Sequence, residues 1–385
     1  MKIKLLNKIA KVGTDAFDPA RYEVSETVTG AEAIMVRSAA MHDMEFDKEL
    51  LAIARAGAGV NNIPVDKCAE EGIVVFNTPG ANANGVKELA ICALLLASRN
   101  VIGGVAWAQS LAGTEGVAKQ VEKGKSAFAG CEIAGKTLGV IGLGAIGRLV
   151  ANAAVSLGMK VVGCDPYLSK EAAKLLDPAV VTVATFDEVY AAADYVTLHV
   201  PATPTTKNMI CAESIAKMKD GVRILNLARA DLVNADDIKA ALAEKKVAAY
   251  VVDFPTEDVL GVDGIVTIPH LGASTEESED NCAVMAGAQL VDYLENGNIK
   301  NSVNYPAVTL GNIAGYRVCV CHKNIPNVIA SLSAVVSAEG INIEHFANGS
   351  KGDYAYTILE SKQPVPETAV AKMAEVEGVI RIRTI

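Results

Sequence analysis

Aromatic residues are scarce in this chain: Phe, Trp and Tyr make up 5% of its 385 residues, with a single tryptophan. A core without many rings must be aliphatic. The abundant alanine, valine and glycine suit buried parallel strands packed under helices. Basic charge is also lacking. The formal net charge is −10 and no basic stripe stands out, which argues against a nucleic-acid surface. Long apolar runs are absent, because charged residues interrupt each one well before membrane-spanning length. The opening MKIKLLNKIA is too short an apolar stretch for a signal peptide. The eight cysteines form no CxxC pair, so reduced thiols in a cytoplasmic protein are expected. Cys319 and Cys321 share one face of an expected strand, but no further ligand cluster joins them and no metal is expected.

The length exceeds what one compact core holds, so two or three domains are expected. Residues 1–98 alternate short apolar strands (Ala33–Val36, Leu51–Ala56, Ile73–Phe76) with helical stretches. Residues 99–284 carry further strands at Tyr195–His199, Arg223–Leu227, Ala248–Val252 and Ile265–Ile268. A long helix over Ser278–Leu294 then leads back, so that about 285–308 completes the first block. Residues 312–385 read strand, helix, strand, strand, helix, strand, with the third element at Ile341–Phe346. This is the βαββαβ ferredoxin-like order. The expected fold is α/β: two doubly wound, Rossmann-like domains around a cleft, plus this small C-terminal domain.

The sharpest local signal is LGVIGLGAIG at Leu138–Gly147. The strand Thr137–Ile141 feeds into Gly142, Gly144 and Gly147, and a helix is expected over Ala145–Leu157. Gly142 permits a tight turn, Gly144 lets backbone approach a pyrophosphate, and Gly147 lets the helix pack against the strand. The N–H groups of Ala145, Ile146 and Gly147 would face the phosphates. Asp165 ends the next strand, about 20 residues on, where an acid receives ribose hydroxyls and repels a 2′-phosphate. The cofactor expected is therefore NAD rather than NADP.

Histidine is rare, with five residues. His42 reads as surface and His345 as half-buried packing. His199 ends a strand, facing the cofactor or serving as a structural hydrogen-bonding group. His270 follows the strand Gly264–Ile268 and opens HLGAST, a loop suited to catalysis. Glu257, in DFPTED, lies just beyond another strand, where a carboxylate could fix an imidazole's tautomer. Arg229, in NLARAD, follows a third and offers a rigid fork for a carboxylate.

Together LGVIGLGAIG, HVPATPTT, NLARAD, DFPTE and PHLGAST resemble the D-isomer-specific 2-hydroxyacid dehydrogenases. RAGAGVNNI and FNTPGANANGVKEL resemble the family's first-domain motifs, and the C-terminal block resembles an ACT regulatory domain. The resemblance implies NAD-dependent oxidation of 3-phospho-D-glycerate to 3-phosphohydroxypyruvate, the first step of L-serine synthesis. His270 would be the general base, Glu257 its paired acid, and Arg229 the holder of the substrate carboxylate and C2 oxygen. His199, Pro201, Thr206, Ala228 and Asp253 would line the cofactor. Backbone amides around Ala58, Gly59 and Val60 would bind the carboxylate, Arg55 the phosphate, and Asn82 would line the same cleft. His322, Asn324 and Asn342 match positions that grip an amino-acid effector, L-serine. A homodimer or homotetramer is expected.

The chain departs from that pattern in places. The acid usually placed before Val-Phe is shifted one step, to Asp253, and one step along a strand reverses a side chain's face. Lys87 stands where relatives carry alanine, either beside an anionic substrate or as a solvated helix residue. Asn327 replaces a glycine, which bears on the loop ahead of the expected helix Ile325–Glu339. Two other readings stay open: a dehydrogenase of an unphosphorylated D-2-hydroxy or 2-keto acid, and a non-catalytic NAD or amino-acid sensor.

Overall fold

Three sheets carry the chain in a computed structural model that describes residues 1–385. The first is parallel and combines β1 (Lys2–Leu6), β2 (Glu23–Ser25), β3 (Ala33–Val36), β4 (Ala52–Arg55) and β5 (Val74–Phe76) in the order β2-β1-β3-β4-β5. All four residues of β3 are buried, as expected of a strand covered on both faces. The second sheet, also parallel, has seven strands: β6 (Thr137–Ile141), β7 (Lys160–Cys164), β8 (Val180–Thr182), β9 (Tyr195–Leu198), β10 (Val222–Asn226), β11 (Val247–Val252) and β12 (Ile265–Thr267). Its order is β12-β11-β10-β9-β6-β7-β8. The strand order reverses between β6 and β9, and ligands of such sheets bind at that switch point.

The third sheet is antiparallel: β13 (Tyr316–Lys323), β14 (His345–Lys351), β15 (Tyr354–Ser361) and β16 (Val379–Thr384), in the order β14-β15-β13-β16. The expected βαββαβ order stands, with one strand displaced. Ile341–Phe346 was the expected third element, but pairing begins at His345. The positive φ of Gly352 turns the hairpin and sets Lys351 opposite Tyr354, which fixes where the ladder runs. Ile341 instead lies buried in the small core beneath the helices. His345, expected half-buried, is exposed at the head of this edge strand.

Alternation along β13 serves two cores. Val318 and Val320 join Leu332, Val336 and Met373 beneath the two local helices. Cys319 and Cys321 join Tyr356 and Ile358 in a core that contains Ile3, Met35, Phe76 and Leu290 of the first lobe. Three arginines reinforce the junction. Arg317 is fully buried, pairs with Glu360 at 2.5 Å and donates to Asn296 O at 2.6 Å. Arg383 donates to the carbonyls of Tyr293 and Leu294 at 2.5 and 3.0 Å, and Arg381 to that of Leu50.

The chain divides into two compact units, Met1–Asn82 with Glu276–Ile385, and Ala83–Thr275. Two expected boundaries move. Residues 83–98 were grouped with the first block, but the helix Ala83–Ser98 packs on the helix Ala145–Ser156 and on β10 and β11. Its buried Ala90, Ala93 and Leu94 belong to the core around Leu138 and Val251. Residues 276–284 were grouped with the second block, but the helix Glu276–Asn296 packs on the short helix Lys11–Thr14 and on β4. Glycine permits that approach: a Cβ on Gly13 would sit 2.5 Å from the Ala283 backbone. All eight cysteines are free, and no single helix is long and apolar enough to cross a membrane.

Candidate active site

The glycine loop after β6 is shaped for a pyrophosphate. Gly142 has φ +88°, and a Cβ there would meet His199 O at 2.6 Å. A Cβ on Gly147 would lie 1.9 Å from Gly142 O, so only glycine lets the helix Ala145–Ser156 start this close to the strand. Gly144 is different, because nothing lies within 4 Å of its Cβ position. It borders open space beside the N–H groups of Ala145, Ile146 and Gly147, which begin the helix and have no intrahelical acceptor. Asp165 closes the loop from β7. Its Oδ2 accepts from Leu143 N and its Oδ1 from Tyr167 N, both at 2.9 Å. Each oxygen keeps a second lone pair for a ribose hydroxyl.

The loop after β9 is braced by threonine. Thr206 Oγ1 donates to Pro201 O at 2.6 Å and accepts from Thr203 N at 2.8 Å. His199 Nε2 lies 2.9 Å from Thr197 Oγ1. Burial pushes this imidazole down to about 4, so it is neutral at physiological pH. A neutral ring beside the glycine turn packs and hydrogen-bonds without adding charge.

The ends of β10 and β12 bring Arg229 and His270 to one aromatic ring, that of Phe254 after β11. The His270 and Phe254 ring centroids are 4.3 Å apart, and the Arg229 guanidinium lies 5.5 Å from the Phe254 centroid. Arg229 and His270 are both exposed. The backbone at Arg229 is shaped by the fully buried Asn226. Its Nδ2 donates to Arg229 O at 2.8 Å, while its Oδ1 accepts from Ala228 N and Arg229 N at 3.2 and 3.4 Å. Arg229 Nη1 donates to Ala228 O at 2.6 Å, so both backbone polar groups of Ala228, an expected cofactor contact, are already engaged. Glu257 is exposed on the following loop. Asp253 is buried, with an Oδ1 that has no partner. Burial pushes its carboxyl up to about 7, opposed by a backbone hydrogen bond and by Arg229.

Asn226 and Phe254 were absent from the expected site residues. Their signals were present: each lies inside a quoted motif, Asn226 three positions before Arg229 in NLARAD and Phe254 directly after Asp253 in DFPTE.

In the other unit, the turn after β4 carries RAGAGVNN. Gly57 has φ +154°, and a Cβ there would overlap the Arg55 guanidinium, which lies across it. Arg55 Nε donates to Arg37 O at 3.1 Å, and Arg37 pairs with Glu279 at 2.5 Å. Ala58 is exposed, Gly59 and Val60 are half-buried, and Asn77 Nδ2 donates to Ala58 O at 2.6 Å. Asn82 is half-buried immediately before its helix. Lys87 is half-buried, 3.6 Å from Glu88.

The three expected effector residues are not joined to one another. His322 is buried, with Nδ1 2.8 Å from Lys323 O and Nε2 2.9 Å from Thr357 Oγ1. Asn324 donates to Gly352 O, and Asn342 to Glu344 Oε1. Asn327 adopts φ +70° at the N-cap of the helix Val328–Ala338. Asparagine tolerates this left-handed conformation better than most residues after glycine, so it can stand where a glycine would.

Residues 94–272 match the NAD-binding domain of the D-isomer specific 2-hydroxyacid dehydrogenases. The chain is 36% identical over 326 residues to the D-3-phosphoglycerate dehydrogenase of Methanocaldococcus jannaschii, covering 82% of this chain and 60% of that relative. It is 33% identical over 349 residues to the D-3-phosphoglycerate dehydrogenase of Escherichia coli (strain K12), covering 87% of this chain and 82% of that protein. Among solved structures, the NAD+-bound 3-phosphoglycerate dehydrogenase of Entamoeba histolytica superimposes with a TM-score of 0.60 at 27% identity, over 79% of this chain and 98% of that one. The chain belongs to the D-isomer specific 2-hydroxyacid dehydrogenase family. It spans about three fifths of the Methanocaldococcus relative's length, 60%.

Proposed function

We propose that this chain is a D-3-phosphoglycerate dehydrogenase, oxidising 3-phospho-D-glycerate to 3-phosphohydroxypyruvate with NAD. The observation that carries this reading is the packing of His270 and Arg229 on Phe254, at the strand ends that follow the glycine loop. The relatives bearing that name support the choice of substrate. Gly142, Gly144, Gly147 and Asp165 would hold the dinucleotide, and bound NAD supplies the hydride acceptor. Arg229 pairs with the substrate carboxylate and C2 oxygen through its planar fork. His270 removes the C2 hydroxyl proton, and Glu257 turns toward the imidazole to stabilise its charged form. Ala58–Val60 amides take the carboxylate, with Asn82 on the same side of the substrate, and Arg55 takes the phosphate.

On this reading the lobe Met1–Asn82 with its returning helix is the substrate domain, Ala83–Thr275 the NAD domain, and the C-terminal sheet an ACT domain answering to L-serine through Asn324 and Asn342, with His322 beneath them. A homodimer or homotetramer in the reducing cytoplasm fits eight free cysteines. Leu95, Val101, Ile102 and Val105, all exposed, suit a contact between copies. The test is a panel of 2-hydroxy and 2-keto acids followed by NADH absorbance, with and without L-serine. Preference for 3-phosphoglycerate, lost selectively in Arg55→Ala, supports the reading. Equal rates with unphosphorylated acids, or no turnover with any, overturn it. Point substitutions at Asn324 and Asn342 test the effector, because truncation would open the core shared with Cys319 and Cys321.

A further inference from the structure

Phe254 is the side chain on which Arg229 and His270 meet, and the reaction leaves it without a task. Its ring centroid lies 4.3 Å from that of His270, with the planes tilted by 43°, and 5.5 Å from the Arg229 guanidinium. Strand alternation sets where the ring goes. Tyr250 and Val252 of β11 belong to the core on one face of the sheet, and Phe254 continues that side and packs on the same core. The faces of an aromatic ring are electron-rich, so a guanidinium, and an imidazole that gains a proton, are both drawn to it.

A second observation lies behind the ring. Phe254, Tyr250, Val252, Val259, Ala230 and Ala235 help to line a pocket of about 170 Å³. Packed interiors leave few voids larger than a water molecule, and a side chain bordering such a space is free to shift where a packed one is not. The backbone of Arg229 has no such freedom. Asn226 Nδ2 donates to Arg229 O at 2.8 Å and to the Tyr250 hydroxyl, at the pocket wall, at 3.2 Å. A fixed backbone thus carries a guanidinium whose aromatic support can move.

We propose that Phe254 is a positioning residue, a movable rest shared by Arg229 and His270. When the substrate carboxylate draws the guanidinium, the ring shifts into the pocket and the imidazole against it follows, so binding of the acid places the base. This rests on the dehydrogenase reading. The ring acts on the hydroxy acid through these two side chains and leaves NAD affinity alone.

The experiment uses the full chain with Phe254→Leu, Phe254→Tyr, Ala235→Leu, Arg229→Lys and the double variant Phe254→Leu/Arg229→Lys. Steady-state assays with 3-phosphoglycerate give kcat and KM, and calorimetry gives the Kd for NAD. Phe254→Leu keeps an apolar side chain but removes the ring. It should lower kcat about tenfold, the size of coupling expected between groups in contact, with the NAD Kd within about twofold of the parent. Phe254→Tyr keeps the ring and should restore most of that loss. Ala235→Leu fills the pocket from the first turn of the helix Ala235–Ala243 and should lower kcat several-fold, again without moving the NAD Kd.

NMR of the histidine rings gives a readout that needs no turnover. The chain has five histidines, and His270→Gln assigns the His270 signal. Arg229→Lys keeps the charge but loses the plane that lies by the ring. It should displace the His270 signal in the parent and leave it in place in the Phe254→Leu background. Parental kcat in Phe254→Leu or Ala235→Leu, a weakened NAD Kd, a Phe254→Tyr chain as impaired as Phe254→Leu, or a His270 displacement that persists without the ring would each overturn the proposal. If Phe254→Leu does not fold, Ala235→Leu kinetics and the His270 signal of Arg229→Lys decide, and an unmoved signal overturns it. If the parent chain oxidises no 2-hydroxy acid, the dehydrogenase reading fails by itself, and the NMR comparison still decides whether the ring couples the two side chains.

Discussion

Two groups of loops leave the same edge of the seven-stranded sheet and are built in opposite ways. Those after β6, β7 and β9 have their backbone tied down by local side chains: Asp165 ties Leu143 to Tyr167, and Thr206 ties Pro201 to Thr203. Those after β10, β11 and β12 present exposed Arg229, Glu257 and His270, the first and last against the ring of Phe254. A cofactor seat made of N–H groups must exist before its ligand arrives, because backbone cannot reorganise cheaply. Catalytic side chains can settle when substrate binds, and their hydrogen bonds are often long or unformed beforehand.

The contrast is most exposed to failure at His270. His270→Ala should lower kcat by about 10²–10⁴-fold while leaving NAD affinity intact, measured by NADH absorbance and calorimetry. Full turnover would remove the base from the mechanism; lost NAD binding would erase the division between the two groups.

Gly147→Ala and Gly144→Ala sharpen the other half. The first puts a methyl 1.9 Å from Gly142 O, so urea unfolding should show a loss of about 1–3 kcal/mol. The second points into open space and should leave unfolding unchanged while weakening NAD. Equal destabilisation by both would mean that Gly144 does not border a ligand seat.

Asp253 offers a test with pH. Its carboxyl is raised from 3.8 to about 7 in the folded chain, so between those values the folded state holds a proton that the unfolded state has released. Stability therefore falls as pH rises across that window, by about 1.4 kcal/mol per unit, and levels off above it. Asp253→Asn removes the slope, so the variant should gain on the parent from pH 4 to 7. Parallel curves for the two chains would count against a buried, unpaired acid.

The smallest effect is expected at Thr206→Val, which removes the hydroxyl bracing the loop after β9. About 1 kcal/mol of stability and a modest rise in NAD Kd should follow, measured by urea unfolding and calorimetry.

Much of the architecture was legible because its signals are local. The three glycines, the strands β6, β7 and β10–β12, and the order of the C-terminal elements all follow from periodicity and turn residues. What escaped depends on distant partners. β1, β2 and β8 carry polar or exposed positions that blur the strand pattern. The helix Val101–Ser110 has no buried residue and contains two glycines, so no apolar stripe announces it. The helix Ala83–Ser98 looks alike whichever sheet it covers, and its assignment came only from packing on β10 and β11. Within the site, charged and imidazole side chains were legible by type. Phe254 and Asn226 act through position, which spacing along the chain does not reveal.

The alternation on β13 reaches beyond packing. Neighbouring residues of one strand are anchored in separate hydrophobic interiors, so the C-terminal sheet is less a pendant module than a wall of the first lobe. Heat should melt that wall and its lobe in one cooperative step. A small molecule captured by the sheet would then register in the lobe as added rigidity, with no hinge needing to swing.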